Sequence, residues 1–312
     1  MTHTLHLGDC REILQTLPEQ SVHCCVTSPP YFGLRDYGMT EQIGLEPTPE
    51  QFVAELVAVF REVRRVLRDD GTLWLNLGDS YASSGTNSPP SDKTGLNSGK
   101  GCKAHYKVMN GLGRAPTPSE LKPKNLIGIP WRVAFALQAD GWYLRQDIIW
   151  HKPNPMPESV RDRCTKAHEY IFLLSKSERY FFNSEAMKEP AAGLPKPCGP
   201  KNDAMRSDSD RTCIVRGDGE TRNRRSVWTI ATKPYSGAHF ATFPPALVEP
   251  CILAGCPVGG TVLDPFSGSA TTGQVALANA RNYIGCELNP EYHELAQRRL
   301  DAAQLGLPLA TA

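Results

Sequence analysis

Two short turns carry the residues whose types and spacing could do chemistry. The first is Ser28-Pro29-Pro30-Tyr31, which follows the apolar run Val22–Thr27. The prolines fix the backbone, so a prolyl carbonyl and the Ser28 hydroxyl can both accept hydrogen bonds from an NH2 group, and Tyr31 can stack on a planar base. Taken alone, the four residues are also consistent with a turn that only ends a strand.

The second turn lies in residues 261–273, where a strand is followed by small residues and a helix. Such a turn lets a ligand approach the backbone and exposes amides at a helix N-terminus. Another strand ends at Glu287, whose carboxylate can accept hydrogen bonds from both hydroxyls of a ribose. The turn is neither G-x-G-x-x-G nor a P-loop, so a site that cradles phosphates is disfavoured. A tight turn without a ligand is the alternative.

Alternating strands and helices must position these turns. After Thr48 and Pro49, apolar residues recur at three- and four-residue steps, which predicts a helix up to Leu67 that ends at Asp69-Asp70-Gly71. Other patterns predict strands over residues 5–7, 22–27, 72–77, 143–150, 169–174, 261–263 and 283–286, and helices over 11–17, 130–139, 244–253, 274–279 and 290–304. This alternation predicts an α/β fold with a doubly wound, mostly parallel sheet.

The composition excludes some classes of protein. The chain has 312 residues, 40% of them hydrophobic, and a net charge of +1, so overall charge does not point to nucleic acid. Its ten cysteines form no C-x-x-C pair, and no apolar stretch approaches ~18 residues. We therefore expect a reduced, cytoplasmic compartment, no metal site and no membrane span.

Together the two turns resemble the motifs of β-class DNA amino-methyltransferases. In that class S/D/N-P-P-Y/W precedes the cofactor motif, a circular permutation of the methyltransferase sheet. Ser28-Pro29-Pro30-Tyr31 matches the first motif, and residues 264–271 match D-P-F-x-G-x-G-T with Ala270 in place of the second glycine. Further matches occur in the expected order, at residues 8–10, 71–73, 76–79, 149–155, 168–171 and 239–244.

The resemblance implies a Rossmann-like methyltransferase that uses S-adenosyl-L-methionine and in which the two turns come together at one edge of one sheet. Its catalytic residues would be Ser28, Pro29, Pro30 and Tyr31. Its cofactor-binding residues would be Asp9, His239, Phe240, Asp264, Pro265, Phe266, Gly268, Ala270, Thr271 and Glu287. The Ser28 hydroxyl and Pro29 carbonyl would accept hydrogen bonds from the exocyclic amine of a flipped base, without a covalent intermediate. Tyr31 would stack on that base, with Phe32 as a second candidate.

The resemblance also divides the chain and implies its partners. Residues 1–82 would be the catalytic half, 83–125 a basic insert that contacts DNA, 126–188 a continuation of the methyltransferase domain, 189–235 the target-recognition region and 236–312 the cofactor-binding half. DNA-binding candidates are Lys152, Arg222, Arg224 and Arg225, and for each a solvated surface residue is the alternative. The expected partners are double-stranded DNA and a second copy in a homodimer, in a bacterial or phage restriction-modification system near the nucleoid.

Several functional alternatives stay open at this point. Adenine N6 is slightly favoured over cytosine N4, although serine at the first motif position is commoner among the N4-cytosine enzymes of the family. An RNA or protein amine methyltransferase would carry the cofactor motif first. A catalytically silent DNA-binding protein is disfavoured by the intact Ser28, Tyr31, Asp264 and Glu287. The Pro-Cys pairs at 197–198 and 250–251 suggest a C5-cytosine enzyme, but neither follows a strand end.

Overall fold

The computed structural model describes residues 1–34, 38–39, 41–82, 121–191, 221–232 and 243–305. The strands are β1 His3–Leu7, β2 Val22–Thr27, β3 Leu67–Leu77, β4 Tyr143–His151, β5 His168–Ser175, β6 Lys188–Pro190, β7 Thr221–Asn223, β8 Val227–Thr229, β9 Thr261–Asp264 and β10 Asn282–Glu287. The α-helices are α1 Cys10–Thr16, α2 Pro49–Val66, α3 Ile129–Ala139, α4 Pro245–Gly255, α5 Thr271–Ala278 and α6 Pro290–Gln304, with a 3-10 helix at Glu185–Met187.

Eight strands form one sheet in the order β1-β10-β9-β2-β3-β5-β4-β8, and β6 pairs with β7 in a separate hairpin. Neighbouring strands of the large sheet are parallel, except that β5 runs antiparallel to both β3 and β4. The predicted α/β fold with a mostly parallel sheet is confirmed. Because β5 is reversed, its first residues lie at the same edge of the sheet as the last residues of β3 and β4.

Helices cover both faces of the sheet. Successive residues of β3 point to opposite faces, so Leu73 and Leu75 pack in the same core as Phe52 and Phe60 of α2. Trp74, between them in sequence, packs in a second core that includes residues of α4 and α5. This two-sided burial explains why the strands are apolar runs rather than alternating patterns.

The structure corrects three details of the sequence interpretation. α2 ends at Val66 and β3 begins at the next residue, so Asp69-Asp70-Gly71 lies within a strand rather than in a turn. α5 begins at Thr271, three residues before the predicted start. Phe32 is buried and packs against Phe52 with ring centroids 5.5 Å apart, so it belongs to the core and is not a stacking surface for a base.

Much of the two polar regions lies outside the described residues. The ranges that lie outside are 83–120, 192–220 and 233–242. The last of these also contains the cofactor candidates His239 and Phe240. The predicted domain boundaries therefore stay predictions. Part of the proposed recognition region is described, and its strand β8 pairs with β4 in the large sheet. No helix in the described part of the chain is long and apolar enough to cross a membrane.

Candidate active site

The two turns singled out in the sequence meet at one edge of the sheet. β2 and β9 are parallel neighbours, with Cys25 opposite Leu263, so the turn at Ser28 and the turn at Pro265 leave the sheet side by side. The Thr27 hydroxyl donates a hydrogen bond of 2.6 Å to the carboxylate of Asp264. Ligands bind at this carboxyl edge in open α/β sheets. The predicted juxtaposition of the two turns is confirmed.

Asp264 fixes the cofactor turn from within. Its side chain is fully buried and also accepts hydrogen bonds from the Thr272 hydroxyl at 2.7 Å and the Phe266 amide at 3.1 Å. Burial raises the pKa of Asp264 to about 6, although these hydrogen bonds oppose the shift. Since no part of this carboxylate is exposed, its role in this arrangement is to hold the end of β9, the end of β2 and the first turn of α5 together.

The backbone of the cofactor turn leaves room for a ligand. Gly268 has φ +53° and Ala270 has φ +58°, so both adopt the left-handed conformation that favours glycine. A side chain at Gly268 would meet nothing within 4 Å. The hydroxyl of Ser269 is buried without a hydrogen-bond partner among the described residues. The open space at Gly268 lets a ligand approach the backbone of this turn, as binding of a cofactor would require.

Glu287 lies next to this turn and is suited to bind a ribose. One carboxylate oxygen accepts the Gly268 amide at 2.7 Å and the other accepts the Asn289 amide at 2.8 Å. Burial raises the pKa of Glu287 to about 7. Each oxygen keeps a lone pair for a further donor, as two ribose hydroxyls require.

Asp9 lies two residues after the end of β1, the strand that pairs with β10, and is the N-cap of α1. Leu7 is paired with Glu287 across β1 and β10, and the Gly8 amide donates to the Glu287 carbonyl at 2.9 Å. The Asp9 carboxylate accepts the Arg11 amide at 2.8 Å and the Arg11 guanidinium, and so caps α1. Burial opposes ionisation of Asp9, but the hydrogen bonds from Arg11 lower its pKa. Asp9 and Glu287 therefore present two carboxylates at adjacent strand ends.

The remaining residues of the cofactor motif also lie along this turn. Pro265 is buried directly after β9, and Thr271 is buried at the start of α5. Phe266 is partly buried and packs against the core beneath α2. All described members of the predicted cofactor set are thus at this edge of the sheet.

The catalytic turn is held by β3 and β5. The Tyr31 ring lies directly over Gly78, where a Cβ atom would be only 2.5 Å from the ring. The Tyr31 hydroxyl donates to the Glu169 carboxylate at 2.8 Å and lies 3.2 Å from Oδ1 of Asn76. The half-buried Ser28 donates its hydroxyl hydrogen to the same Asn76 oxygen at 3.2 Å. Both functional side chains of the turn are therefore fixed by hydrogen bonds.

A match to a family model decides the class of protein. Residues 22–298 match the family described as DNA methylase, which covers most of the chain. The chain belongs to this DNA methylase family. Its motif order, with the serine–proline turn first, agrees with the resemblance found in the sequence.

Curated relatives and solved structures agree with this assignment. The methylase is 52% identical over 297 residues to the type II methyltransferase M.XycI of Xanthomonas campestris pv. cyanopsidis (95% of this chain, 87% of the relative). It is 51% identical over 294 residues to M.SmaI of Serratia marcescens (94% and 89%). A DNA modification methylase of Thermus thermophilus, solved with S-adenosyl-L-methionine, aligns at 25% identity with TM-score 0.58 and 98% coverage of both chains. The cytosine-N4-specific PvuII DNA methyltransferase shares the fold at 18% identity, with TM-score 0.62 and coverage of 100% and 96%.

The DNA-binding candidates of the methylase have partners within the protein. The Lys152 ammonium pairs with Glu169 and lies 4.2 Å from the centroid of the Trp150 ring. Arg222 and Arg225 both contact Glu189 at 2.9 Å, and the Arg225 side chain remains 70% exposed. Arg224 lies 4.4 Å above the Trp228 ring. Their roles in DNA binding stay predictions.

Sequence reasoning assigned no role to three residues that the methylase places around the two turns. These residues are Thr27, Asn76 and Glu169. They form hydrogen bonds with Asp264, Ser28 and Tyr31, respectively. A signal was present for two of them: Asn76 is a polar residue inside the apolar run TLWLNL, and Glu169 begins the apolar run of β5. A polar side chain in a buried strand needs partners, and here the partners are catalytic candidates.

Proposed function

We propose that this DNA methylase transfers a methyl group from S-adenosyl-L-methionine to N4 of cytosine in duplex DNA. The observation that carries the choice of base is Ser28 at the first position of the catalytic turn. Serine at this position is commoner among the N4-cytosine enzymes of the class that the sequence resembles. The slight preference for adenine in the sequence interpretation rests on no residue of the site.

The chemistry must overcome the weak nucleophilicity of an exocyclic amine, whose lone pair is delocalised into the ring. Hydrogen bonds from the NH2 group to the Ser28 hydroxyl and the Pro29 carbonyl return electron density to nitrogen and orient its lone pair. When bound, the cofactor supplies an electrophilic methyl group on a sulfonium. The chain contributes position and electrostatics to the in-line displacement, in which the methyl carbon would exchange its bond to sulfur for a bond to the amine nitrogen. The methylated amine then releases a proton to solvent water.

The other residues of the site hold the two reactants. Tyr31 offers its ring to a base that has left the stack, while Glu287 and Asp9 bind the cofactor at the neighbouring strand ends. The link from Thr27 to Asp264 sets the spacing between base and cofactor. The contacts at this edge of the sheet support these proposed roles.

Transfer of labelled methyl groups tests the proposal. The purified protein is incubated with plasmid DNA and methyl-labelled cofactor, and the DNA is digested to nucleosides for mass spectrometry. We expect N4-methylcytosine, with Ser28→Ala as the matched control of reduced activity. N6-methyladenine would overturn the choice of base, and the absence of any methylated nucleoside would overturn the proposed function.

We also propose the partners of the reaction. Duplex DNA would be bound by Lys152 and the arginines at 222, 224 and 225, and two copies of the chain would form the homodimer implied by the family resemblance. Light scattering after size-exclusion chromatography gives the mass of the assembly. A monomer at all concentrations would contradict the dimer without affecting the proposed reaction.

A further inference from the structure

We infer that Asn76 is a positioning residue that forces the Ser28 hydroxyl to act as a hydrogen-bond acceptor toward the substrate amine. The inference rests on the proposed function and deepens it. Asn76 is 5% exposed and lies in β3, between the catalytic turn and β5. Its amide is therefore shielded from water and oriented by its protein neighbours.

Those neighbours fix the direction of the Asn76 amide. Its nitrogen lies 3.0 Å from the carbonyl oxygen of Tyr170 and 3.4 Å from a carboxylate oxygen of Glu169. Both of these groups are acceptors only, so they require the NH2 side of the amide. The reversed amide would place its oxygen against two other oxygens. Oδ1 of Asn76 must consequently face the catalytic turn.

This orientation determines what Ser28 can do. A serine hydroxyl has one hydrogen to donate and two lone pairs that accept. The hydrogen is used in the 3.2 Å bond to Oδ1 of Asn76. The lone pairs remain for an N–H donor, and the exocyclic amine of a base is such a donor. Without Asn76, the hydroxyl could rotate and point its hydrogen at the base.

Glu169 keeps Tyr31 from competing for the same acceptor. The Tyr31 hydroxyl is 2.8 Å from Glu169 and 3.2 Å from Oδ1 of Asn76, so its single hydrogen is better placed toward the carboxylate. The Lys152 ammonium pairs with the other oxygen of Glu169. This ion pair holds the Glu169 side chain, which is 15% exposed, in place as the acceptor for Tyr31. Oδ1 of Asn76 is therefore available to accept the hydrogen of the Ser28 hydroxyl.

A double-mutant cycle tests the inference on the full-length protein. Asn76→Ala is expected to lower kcat about tenfold to a hundredfold, because the acceptor is no longer aimed, while KM for DNA and affinity for S-adenosyl-L-methionine stay within about twofold. Single-turnover transfer of labelled methyl groups gives the rates. In a Ser28→Ala background the Asn76 substitution should change the rate by less than about twofold. In a Tyr31→Phe background it should keep its full effect.

The controls separate this role from a structural one. Asn279→Ala removes a side-chain amide at the C-cap of α5 that donates to the Val275 carbonyl, away from both turns, and should leave kcat unchanged. If the melting temperature of Asn76→Ala falls, Asn76→Leu fills the volume and takes its place in the cycle. An equal loss of rate with and without Ser28, or no loss at all, would overturn the inference. Failure of the wild-type protein to transfer methyl groups would instead overturn the proposed function.

Discussion

The hydroxyl of Thr27 lies 2.6 Å from the carboxylate of Asp264, and this hydrogen bond joins two turns that are 237 residues apart in sequence. Thr27 immediately precedes Ser28, the proposed catalytic residue, and Asp264 begins the turn proposed to bind the cofactor. A single contact in the buried layer therefore relates the base side of the site to the cofactor side. Breaking this hydrogen bond is costly because both residues are buried. If the Thr27 hydroxyl were removed, the Asp264 carboxylate would lose a donor that water cannot replace.

Removing this contact should cost both stability and activity. In Thr27→Val the Asp264 carboxylate loses a donor, and we expect the free energy of unfolding in urea to fall by about 1–3 kcal/mol. Methyl transfer should fall as well, because Ser28 shifts with the strand end. Thr27→Ser keeps the hydroxyl and serves as the control. Equal stability of the valine and serine variants would contradict this reading.

The buried Asp264 should make stability depend on pH. Its pKa is raised to about 6 from the ordinary value of 3.8, so between these values the folded protein holds a proton that the unfolded chain has released. The free energy of unfolding should therefore fall as the pH rises through this window, by at most about 1.4 kcal/mol per unit, and level off above it.

The variant Asp264→Asn isolates this effect, since Glu287 titrates over an overlapping range. Urea unfolding of both proteins at about pH 4.5, 5.5 and 7 gives the difference in stability. We expect the wild-type protein to lose stability relative to Asp264→Asn as the pH rises. A difference that stays constant with pH would show that Asp264 does not titrate in this window.

Binding of the cofactor should depend on the ionisation of Glu287. Burial raises the pKa of Glu287 to about 7, and only the carboxylate gives two charge-assisted acceptors to ribose hydroxyls. Affinity for S-adenosyl-L-methionine should therefore fall as the pH drops below 7, by up to about tenfold per unit. Isothermal titration measures this slope. Glu287→Gln should bind more weakly with no such slope, and a variant with the wild-type slope would refute the assignment.

Gly78 should be essential for the position of Tyr31 but not for the fold. An added methyl would lie 2.5 Å from the Tyr31 ring, which must move away. We expect Gly78→Ala to lower kcat about a hundredfold, because the displaced Tyr31 ring would hold the base out of line with the methyl group. Circular dichroism, the melting temperature and cofactor affinity should stay near wild type. Full activity in the alanine variant would mean that the ring position does not matter for transfer.

Of the four DNA-binding candidates, Arg225 is the one with an exposed side chain, 70% against 35% for Arg222 and 18% for Lys152, and Arg224 is partly buried. If it contacts a phosphate, Arg225→Ala should weaken DNA binding and reduce the slope of log affinity against log salt by about 0.9. Arg179→Ala removes an equal charge whose side chain is 96% exposed, at the opposite edge of the sheet, and is the control. Identical slopes in the two variants would exclude Arg225 as a phosphate contact.

The sequence predicted the fold class and the meeting of the two turns, because motif order and apolar runs determine which strand ends carry which residues. It did not predict that β5 runs antiparallel to its neighbours, since an apolar run indicates a buried strand but not the direction in which that strand enters the sheet. The end of α2 was misplaced for a related reason. Asp69-Asp70-Gly71 is typical of a turn, and it lies in an irregular part of β3, where the register with β2 shifts between Val22 opposite Leu67 and Cys24 opposite Thr72. Backbone hydrogen bonds to the Asp70 and Gly71 carbonyls keep this segment in the sheet.

The sequence predicted the motif residues of the candidate site but not the hydrogen bonds that hold their side chains in place. Ser28 and Tyr31 are visible as a motif, whereas their hydrogen bonds to Asn76 and Glu169 join strands far apart in the chain. Such contacts depend on strand order and on the reversed β5. The full burial of Asp264 also needed the structure, because the same motif is compatible with an exposed ligand contact.

The reversal of β5 has an evolutionary corollary. Only because this strand runs backward does its opening residue pair, His168 and Glu169, reach the active edge, where Glu169 meets Tyr31. Side chains alternate between faces along a strand, so a slip of one position would exchange Glu169 for His168 or Tyr170. We therefore expect a one-residue insertion within β5 to remove Glu169 from Tyr31 and so to impair the site, whereas a change of length in the connection between β4 and β5 would leave this pairing in register.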